Sequence, residues 1–247
     1  MANVHLTFQG KGGVGKSFIS SVLTQYLLKH NCEVACIDTD PVNATLASYK
    51  EFSVTKIDIM NGDTVDARKF DPMIEMIYDM SPAQHVVIDN GASSFLPLMS
   101  YLKENRVFDL LQEKGHQVYI HSVITGGQAI LDTLNGLKTV CVTFPEIPIV
   151  LWLNLYFGEI ALNGKSFSEF AIYKENKKQF CATIQVPCMN EHTYGKDVSE
   201  LLARKETFDA GINSSLGIMV RQRLKTYWAA MDQAISESGL IQQIQTA

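Results

Sequence analysis

The sequence lacks the features that mark membrane and secreted proteins. No run of about 18 apolar residues is present that could cross a bilayer as a helix, and residues 1–10 contain neither a basic leader nor a small-residue cleavage site. Internal repeats, Pro-rich linkers and low-complexity tracts are absent as well. These absences predict a cytoplasmic protein without membrane insertion, folded as one domain over residues 1–247.

Cysteine is scarce and shows no clustering. The five cysteines are an odd number, and no two of them lie at the close spacing that zinc sites and redox pairs use. Most have apolar neighbours, which favours reduced core thiols in a cytosolic protein. They are Cys32, Cys36, Cys141, Cys181 and Cys188.

A strong excess of one charge is also missing. The 21 basic and 26 acidic residues leave a net charge of −5, which argues against strong non-specific nucleic-acid binding by the whole chain. Two small basic clusters remain, and a solvated helix surface is the favoured interpretation of both. DNA binding is therefore expected to be indirect or weak, and the residues to watch are Arg204, Lys205, Arg221, Arg223 and Lys225.

The sequence does contain a regular alternation of short apolar runs and segments with helical spacing. Strands are predicted at residues 4–8, 34–38, 55–60, 85–89, 118–125, 149–155 and 180–186. Helices are predicted at residues 16–29, 66–80, 97–113, 128–142, 168–178 and 216–237. Strands that alternate with helices form parallel sheets covered on both faces. The pattern predicts an α/β fold of three layers, with a mostly parallel central sheet flanked by helices.

A phosphate-binding motif lies between the first predicted strand and the first predicted helix. Residues Gly10 to Ser17 match G-x-x-x-x-G-K-[ST] at every fixed position, which predicts a P-loop NTPase fold with ATP or ADP and Mg²⁺ as cofactors. Glycines bring backbone N–H groups close to phosphate oxygens, and the helix presents its positive end to the same anion. Lys16 would contact the β- and γ-phosphates, and Ser17 would ligate Mg²⁺. The predicted nucleotide-binding residues here are Gly10, Lys11, Gly12, Gly13, Val14, Gly15, Lys16, Ser17 and Phe18.

Lys11 is the most discriminating residue of this motif. An ordinary P-loop needs no lysine there, and K-G-G-V-G-K-S resembles the deviant Walker A motif of the ParA/MinD superfamily, which includes nitrogenase iron protein and arsenite-pump ATPases. The resemblance implies that Lys11 reaches across a nucleotide-dependent homodimer to the partner's phosphates. A solvated loop lysine is the alternative.

Two acids follow the second predicted strand. Asp38-Thr39-Asp40-Pro41 resembles the superfamily's D-x-D-P motif, and an acid at a strand's carboxyl end lies in the crevice where open α/β sheets bind ligands. The resemblance implies that Asp40 orients the attacking water and that Asp38 supports Mg²⁺ or the loop. Asp40 could instead cap the next helix.

A third acid, Asp89, ends the apolar run Val86-Val87-Ile88 and resembles a Walker B carboxylate. It could hold the Mg²⁺ shell opposite Ser17. The superfamily usually continues with D-x-P-P or D-x-P-A-G, whereas this chain has D-N-G-A-S-S. We therefore consider that Asn90 or Ser93 supplies the polar contacts of the usual second switch. The altered sequence leaves the conformation of this switch, and with it the hydrolysis rate, as an open question.

Two further positions are predicted to contact the purine. By resemblance, Asn154 at the end of a strand would hydrogen-bond the base, and a second base-contacting loop would lie near Pro187, Cys188 and Met189. An Asn at a strand end is equally typical of a turn.

A closer resemblance lies in three longer segments. They are similar to the conjugal transfer protein TraL family, which is encoded on mobile plasmids and integrative elements, and the similarity extends from residue 1 to about residue 210. It implies a role in bacterial conjugal DNA transfer, with relaxosome or other conjugation proteins as partners. The segments are D-T-D-P-V-N-A-T from Asp38, D-N-G-A-S-S-F from Asp89 and T-G-G-Q-A from Thr125.

Three hypotheses of function follow. The leading one is a slow Mg²⁺-dependent ATPase switch with Lys11, Lys16 and Asp40 as catalytic residues and Ser17, Asp38 and Asp89 at the metal. A second is a nucleotide-gated adaptor with negligible hydrolysis. A third is a dethiobiotin-synthetase-like enzyme that would use Thr125 or His121, although His121 lies inside an apolar strand and is interpreted first as a core histidine.

Two functions known in the superfamily are disfavoured. The iron–sulfur proteins bridge a cluster through cysteines, and no cysteine lies between Asp89 and Thr139. MinD-like proteins end in a basic amphipathic helix, whereas no Lys or Arg follows Lys225 here.

Overall fold

The computed structural model of the chain describes residues 1–240. Its strands are β1 Asn3–Thr7, β2 Val34–Asp38, β3 Val54–Lys56, β4 Met60–Asn61, β5 Thr64–Val65, β6 His85–Asp89, β7 Gln117–Thr125, β8 Ile149–Asn154, β9 Ala161–Leu162, β10 Lys165–Ser166 and β11 Phe180–Val186. Its α-helices are α1 Lys16–Lys29, α2 Asp71–Tyr78, α3 Phe95–Glu104, α4 Val107–Glu113, α5 Ile130–Thr143, α6 Ala171–Glu175, α7 Lys196–Ala203, α8 Phe208–Ile212 and α9 Ile218–Glu237.

Seven strands form the central sheet in the order β11-β8-β7-β1-β6-β2-β3. All of its neighbouring strands are parallel, and β1 lies at the centre, between β6 and β7. The carboxyl ends of β1, β2, β6, β7 and β8 therefore meet at one edge. Loops that leave this edge carry the site described below.

Helices cover both faces of the sheet, as the sequence predicts. One face packs against α2, α3, α4 and α5 through a core that includes Phe70, Leu98, Phe108 and Leu137. The other packs against α1, α7, α8 and α9 through a core that includes Leu23, Leu201, Phe208 and Met231. The predicted α/β fold of three layers is confirmed.

The predicted helix at residues 97–113 is in fact two helices. α3 ends at Glu104 and α4 begins at Val107, because Arg106 takes a left-handed conformation with φ 50°. A non-glycine residue at positive φ breaks the helical hydrogen-bond pattern. Apolar residues continue at helical spacing on both sides of the break, so the sequence pattern alone does not show it.

Other predicted boundaries shift where tertiary contacts decide the conformation. The segment predicted as a strand at 55–60 is divided between β3 and the start of the β4–β5 hairpin, and the helix predicted at 66–80 begins as a 3₁₀ turn before α2. The helix predicted at 168–178 is divided into a 3₁₀ turn, Phe167–Glu169, and the short helix α6. α7 and α8, which follow β11, were not predicted.

The last helix, α9, begins at Ile218 and ends at Glu237, close to the prediction of 216–237. It packs its apolar stripe of Leu224, Tyr227 and Met231 into the core. Within residues 1–240, no helix has both the length and the apolar character that a membrane crossing requires.

A chain of hydrogen-bonded rings crosses four strands inside the sheet's α1-facing core. The Trp152 indole N–H donates to Nδ1 of His121 at 2.9 Å, His121 Nε2 lies 3.0 Å from Nδ1 of His5, and His5 Nε2 lies 3.0 Å from Nδ1 of His85. Because the indole can only donate, His121 and His5 each carry their hydrogen on Nε2 and donate it to the next ring, and His85 accepts the last of these hydrogen bonds at Nδ1. Burial lowers the pKa of His121 to about 3, and it also lowers those of His5 and His85. His121 is therefore the core histidine that the sequence favours.

Candidate nucleotide-binding site

The loop at residues 10–17, the P-loop, connects β1 to α1 and depends on two glycines. Gly13 and Gly15 have φ angles of 75° and 105°, in the left-handed region that only glycine adopts freely. Gly15 is the N-cap residue of α1, and no side chain caps that end of the helix. The first backbone N–H groups of α1 are thus not taken by a capping side chain, which is the arrangement that an anion requires.

Lys16 lies buried beneath this loop, with 8% of its surface exposed. Its ammonium group donates to the carbonyl of Lys11 at 3.0 Å. Burial lowers the pKa of Lys16, and the carboxylates of Asp89 and Asp40 act in the opposite direction. The lysine thus sits within the field of both acids.

Asp89 is fully buried at the end of β6. Its Oδ1 accepts from the Ser20 hydroxyl at 3.0 Å, while within residues 1–240 its Oδ2 has no hydrogen-bond partner. Burial raises the pKa of Asp89 to about 7, and the nearby Ser17 hydroxyl opposes this rise. A buried carboxylate oxygen left open beside a serine hydroxyl fits a hard cation such as Mg²⁺.

No protein cage for a metal ion exists in the described part of the chain. In residues 1–240 no group of three or more His, Cys, Asp or Glu side chains is arranged so that it could hold a metal ion. Mg²⁺ commonly takes only one or two protein ligands and fills its octahedron with phosphate oxygens and water. The pair Ser17 and Asp89 matches that mode of binding.

Asp38 and Asp40 hold different positions although they are two residues apart. The two oxygens of the fully buried Asp38 accept from the backbone N–H groups of Asp40 at 3.0 Å and Ala47 at 2.9 Å. Asp40 is half-buried, and its Oδ1 accepts from the backbone N–H groups of Val42 and Asn43. Asp38 thus contacts the backbone of the loop at residues 38–47, and its role at Mg²⁺ stays a prediction, while Asp40 faces the cavity described next.

Two cavities meet at the P-loop and share Gly13, Gly15 and Phe18. The Lys16 cavity, of about 530 Å³, is the more polar of the two and carries charged side chains; its lining residues include Lys16, Ser17, Asp40, Asn43, Ala92 and Ser93. The Asn154 cavity, of about 310 Å³, is mainly apolar; its lining residues include Asn154, Tyr156, Phe157, Pro187, Cys188 and Met189. A polar compartment beside an apolar one suits a phosphorylated heterocycle.

Asn154 and Pro187, which the sequence predicts to contact the base, both line the apolar cavity. Asn154 is buried, its Nδ2 donates to the Val14 carbonyl at 3.0 Å, and its Oδ1 accepts from the Tyr156 N–H at 3.2 Å. It therefore braces the P-loop and also forms the turn after β8. A contact with a purine base stays a prediction for both residues.

Lys11, the lysine that distinguishes this motif from an ordinary P-loop, forms an ion pair with Asp132. The Lys11 ammonium lies 2.8 Å from Oδ2 of Asp132, near the start of α5, and both side chains are about half exposed. The sequence gives no indication of this contact, because Asp132 belongs to no motif. The one available signal was an acid in the first turn of the helix that follows β7, because that turn lies at the same edge of the sheet.

The D-N-G-A-S-S segment forms a closed turn at residues 90–94. Asn90 is 1% exposed, and its Oδ1 accepts from the Ser94 hydroxyl at 2.7 Å and the Thr39 hydroxyl at 3.3 Å. Ser93 lines the Lys16 cavity and Asn90 does not. Of the two residues considered for polar contacts, only Ser93 is in direct reach of a ligand there.

The thiols are less uniform than predicted. All five cysteines are free, and Cys36 and Cys141 are buried as expected. Cys188, in contrast, is exposed on the wall of the Asn154 cavity, so the prediction of a core thiol is wrong for this residue. The apolar residues before it belong to the edge strand β11, which leaves the following loop open to solvent.

The basic clusters near the C-terminus are partly neutralised. Arg204 pairs with Glu206 at 3.0 Å, and Arg223 pairs with Asp197. These contacts are consistent with the solvated surface that the sequence favours, and DNA binding remains a prediction.

Comparison with known proteins identifies a family of nucleotide-binding domains, in agreement with the geometry of the site. The model of the CobQ/CobB/MinD/ParA nucleotide binding domain matches residues 6–208. The chain belongs to this family. Protein TraL from Escherichia coli is 46% identical to it over 250 residues, which cover all of this chain and 99% of that protein, so the resemblance to the TraL branch is confirmed.

Solved structures agree on the fold. MinD from Pyrococcus furiosus superposes with a TM-score of 0.54 at 16% identity, over 94% of this chain and 99% of that one. MinD from Pyrococcus horikoshii, solved with Mg-ADP, gives a TM-score of 0.53 at 14% identity, over 92% and 95%. At such low identity these likenesses support the family's fold and no residue role.

The small-molecule enzyme hypothesis loses the residues that it needs. His121 is fully buried within the ring chain, Thr125 is also fully buried, and neither lines either cavity. A catalytic role for them on a substrate beside the phosphates would require access that the fold does not provide.

Proposed function

We propose that this protein is an ATP-binding switch: a slow, Mg²⁺-dependent ATPase that forms a homodimer in its ATP-bound state. The observation that carries the proposal is the meeting of a polar and an apolar cavity at Gly13 and Gly15. Lys16, Ser17 and Asp40 line the polar one, with Asp89 close behind. Together they offer a cation, a hydroxyl and two carboxylates at one end of the site.

In this proposal the residues of the Lys16 cavity divide the work. The N–H groups of residues 10–18 and the Lys16 ammonium bind phosphate oxygens, as in other P-loops. Ser17 and Asp89 hold Mg²⁺, which neutralises developing charge on the phosphates when it is bound. Asp40 keeps one carboxylate oxygen directed to backbone N–H groups and uses the other to orient water.

The Asn154 cavity would take the base. Its apolar walls include Phe18, Pro187 and Met189, and the backbone around Pro187 and Cys188 can supply hydrogen-bonding groups. Asn154, already bonded to Val14, would hold the P-loop in register with the base.

Dimerisation would use the rim around the P-loop. Lys11 keeps 44% of its side chain exposed and can leave Asp132 for the phosphates of a second copy. Three apolar side chains next to site residues are strongly exposed on this rim: Val42 at 72%, Leu96 at 63% and Leu131 at 56%. Exposed apolar side chains around a charged centre suit an interface that forms only with nucleotide.

The similarity to TraL proteins supports a proposal about the biological setting. The chain's resemblance to that family supports a cytoplasmic role in bacterial conjugal DNA transfer, with relaxosome or other conjugation proteins reading the nucleotide state. The net charge of −5 favours protein partners over direct DNA contact.

Nucleotide binding tests the proposal. Titration calorimetry with ATP and ADP in the presence of Mg²⁺ should show binding by the natural chain and a loss of at least about tenfold in Lys16→Ala, since a hydrogen bond to a charged group is removed. Lys138→Ala, at an exposed lysine on α5, is the control and should bind normally. Unchanged affinity in Lys16→Ala would contradict the proposed site.

A second candidate function is a nucleotide-gated adaptor with negligible hydrolysis. The closed turn at residues 90–94 favours it, because this segment departs from the superfamily's usual second switch. Phosphate release at the background rate, together with tight ATP binding, would select the adaptor over the ATPase.

A further inference from the structure

The closed turn at residues 90–94 is fastened at its base. The Ser94 hydroxyl lies 2.7 Å from Oδ1 of Asn90 and 3.1 Å from the carbonyl of Gly91, so it donates across the turn. The Thr39 hydroxyl joins the same Asn90 oxygen from the end of β2. Asn90 and Ser94 are both almost completely buried. The two residues at the apex, Ala92 and Ser93, are therefore held in one position.

The apex is also fixed from its two sides. A Cβ atom added to Gly91 would lie 2.7 Å from Oδ1 of Asp40, so the turn packs directly against the Asp40 carboxylate. A Cβ atom added to Gly12 would lie 3.8 Å from the Ala92 methyl group, so the turn also approaches the P-loop. Ser93, the next residue in the turn, lines the same cavity as Lys16 and Asp40, the residue proposed to orient water.

The Ser93 hydroxyl is available at this place. Ser93 is exposed and lines the Lys16 cavity, and in the described residues its hydroxyl makes no hydrogen bond. A hydroxyl can both donate to a phosphate oxygen and accept from a water molecule. The Asn154 cavity, at the opposite end of the site, includes neither Ala92 nor Ser93. Ser93 therefore faces the end of the site where a nucleotide's last phosphate would lie.

From this juxtaposition we propose that Ser93 contacts the terminal phosphate of the bound nucleotide, and that Asn90 and Ser94 are positioning residues that hold it there. The inference rests on the proposed function and deepens it. It makes Ser93 the residue by which the chain distinguishes a nucleoside triphosphate from a diphosphate.

Calorimetry with a non-hydrolysable ATP analogue and with ADP, each with Mg²⁺, tests the inference. Ser93→Ala should weaken binding of the analogue by about tenfold and leave ADP binding unchanged, because only the triphosphate reaches the apex of the turn. Ser93→Thr keeps the hydroxyl and should restore the analogue's affinity. Ser100→Ala, at an exposed serine on α3, is the control and should match the natural chain.

The positioning role has its own readout. Ser94→Ala should lower the ratio of analogue to ADP affinity in the natural background but not in the Ser93→Ala background. A merely structural defect would weaken both ligands and leave the ratio unchanged, so this ratio remains informative even if the variant is less stable.

The outcomes separate the two proposals. Equal losses for both ligands in Ser93→Ala, or no loss for either, would overturn the role of Ser93 while ATP binding by the natural chain still stands. If the natural chain bound neither nucleotide, the proposed function itself would fail, and the inference with it.

Discussion

Removal of the Asp132 carboxylate should strengthen nucleotide-dependent dimerisation. The Lys11 ammonium lies 2.8 Å from Asp132, and the two side chains keep 44% and 53% of their surface exposed. An ion pair this exposed contributes about 0.5 kcal/mol. In our proposal each Lys11 must leave Asp132 to reach the partner's phosphates, so a symmetric dimer breaks two pairs, at a cost of about 1 kcal/mol. Asp132→Ala should therefore lower the dissociation constant of the ATP-bound dimer about fivefold.

Sedimentation equilibrium with Mg²⁺ and a non-hydrolysable ATP analogue measures that constant. Asp109→Ala is a matched control, because Asp109 also forms an exposed ion pair, with Arg106 at 2.7 Å, and lines neither cavity. Higher salt should narrow the difference between Asp132→Ala and the natural chain, since exposed charges are screened. A dimer weakened in Asp132→Ala as strongly as in Lys11→Ala would refute the reasoning and place Asp132 in the interface.

Two further predictions concern the turn and the sheet. Gly91→Ala should slow ATP turnover at least about tenfold, because the added methyl group would lie 2.7 Å from Oδ1 of Asp40 and displace that carboxylate. Gly217→Ala is the control, since a methyl group added there meets no atom within 4 Å. Equal turnover in the two variants would contradict the placement of Asp40. Between pH 7 and pH 5, the natural chain should lose about 2 kcal/mol of unfolding free energy relative to His121→Gln, measured by urea denaturation at both pH values. In the folded state the pKa of His121 is lowered to about 3. Below about pH 6.5 the unfolded chain therefore binds a proton at this histidine and the folded chain does not, so acid favours the unfolded state. Equal losses of unfolding free energy in the natural chain and in His121→Gln would contradict the neutral ring chain.

Local chemistry made much of the site predictable. The conformations of Gly13 and Gly15 follow from the motif itself, because only glycine enters the left-handed region without strain. Asp40 and Asp89 fall at strand ends, and the parallel sheet then brings those ends to one edge. The central strands are also predictable from local sequence, because short runs rich in β-branched apolar residues are typical of buried strands.

The parts that the sequence did not predict depend on contacts between distant segments. The pairing of Lys11 with Asp132 joins the P-loop to the first turn of α5 through the order of strands in the sheet, which no local pattern specifies. The division of labour between Asp38 and Asp40 likewise depends on which backbone N–H groups the folded loop presents. Arg106 ends α3 by a single left-handed residue within an otherwise helical pattern.

The unusual sequence at residues 90–94 can be interpreted only with the three-dimensional structure. In sequence, D-N-G-A-S-S differs from the superfamily's second switch and leaves its consequence open. In the structure, Asn90 and Ser94 fasten the turn, Gly91 makes room for Asp40, and Ser93 is left facing the cavity. The structure thus explains why Gly91, Asn90 and Ser94 occupy their positions in this segment.

In our proposal, Lys11 converts ATP binding into dimer formation. Sedimentation velocity of the full chain, 27.5 kDa, with Mg²⁺ and a non-hydrolysable ATP analogue measures this directly. The proposal predicts twice that mass with the analogue, the monomer mass with ADP, and a monomer in Lys11→Ala that still binds nucleotide. A natural chain that stays at 27.5 kDa when saturated with the analogue, or a Lys11→Ala variant that dimerises normally, would contradict it.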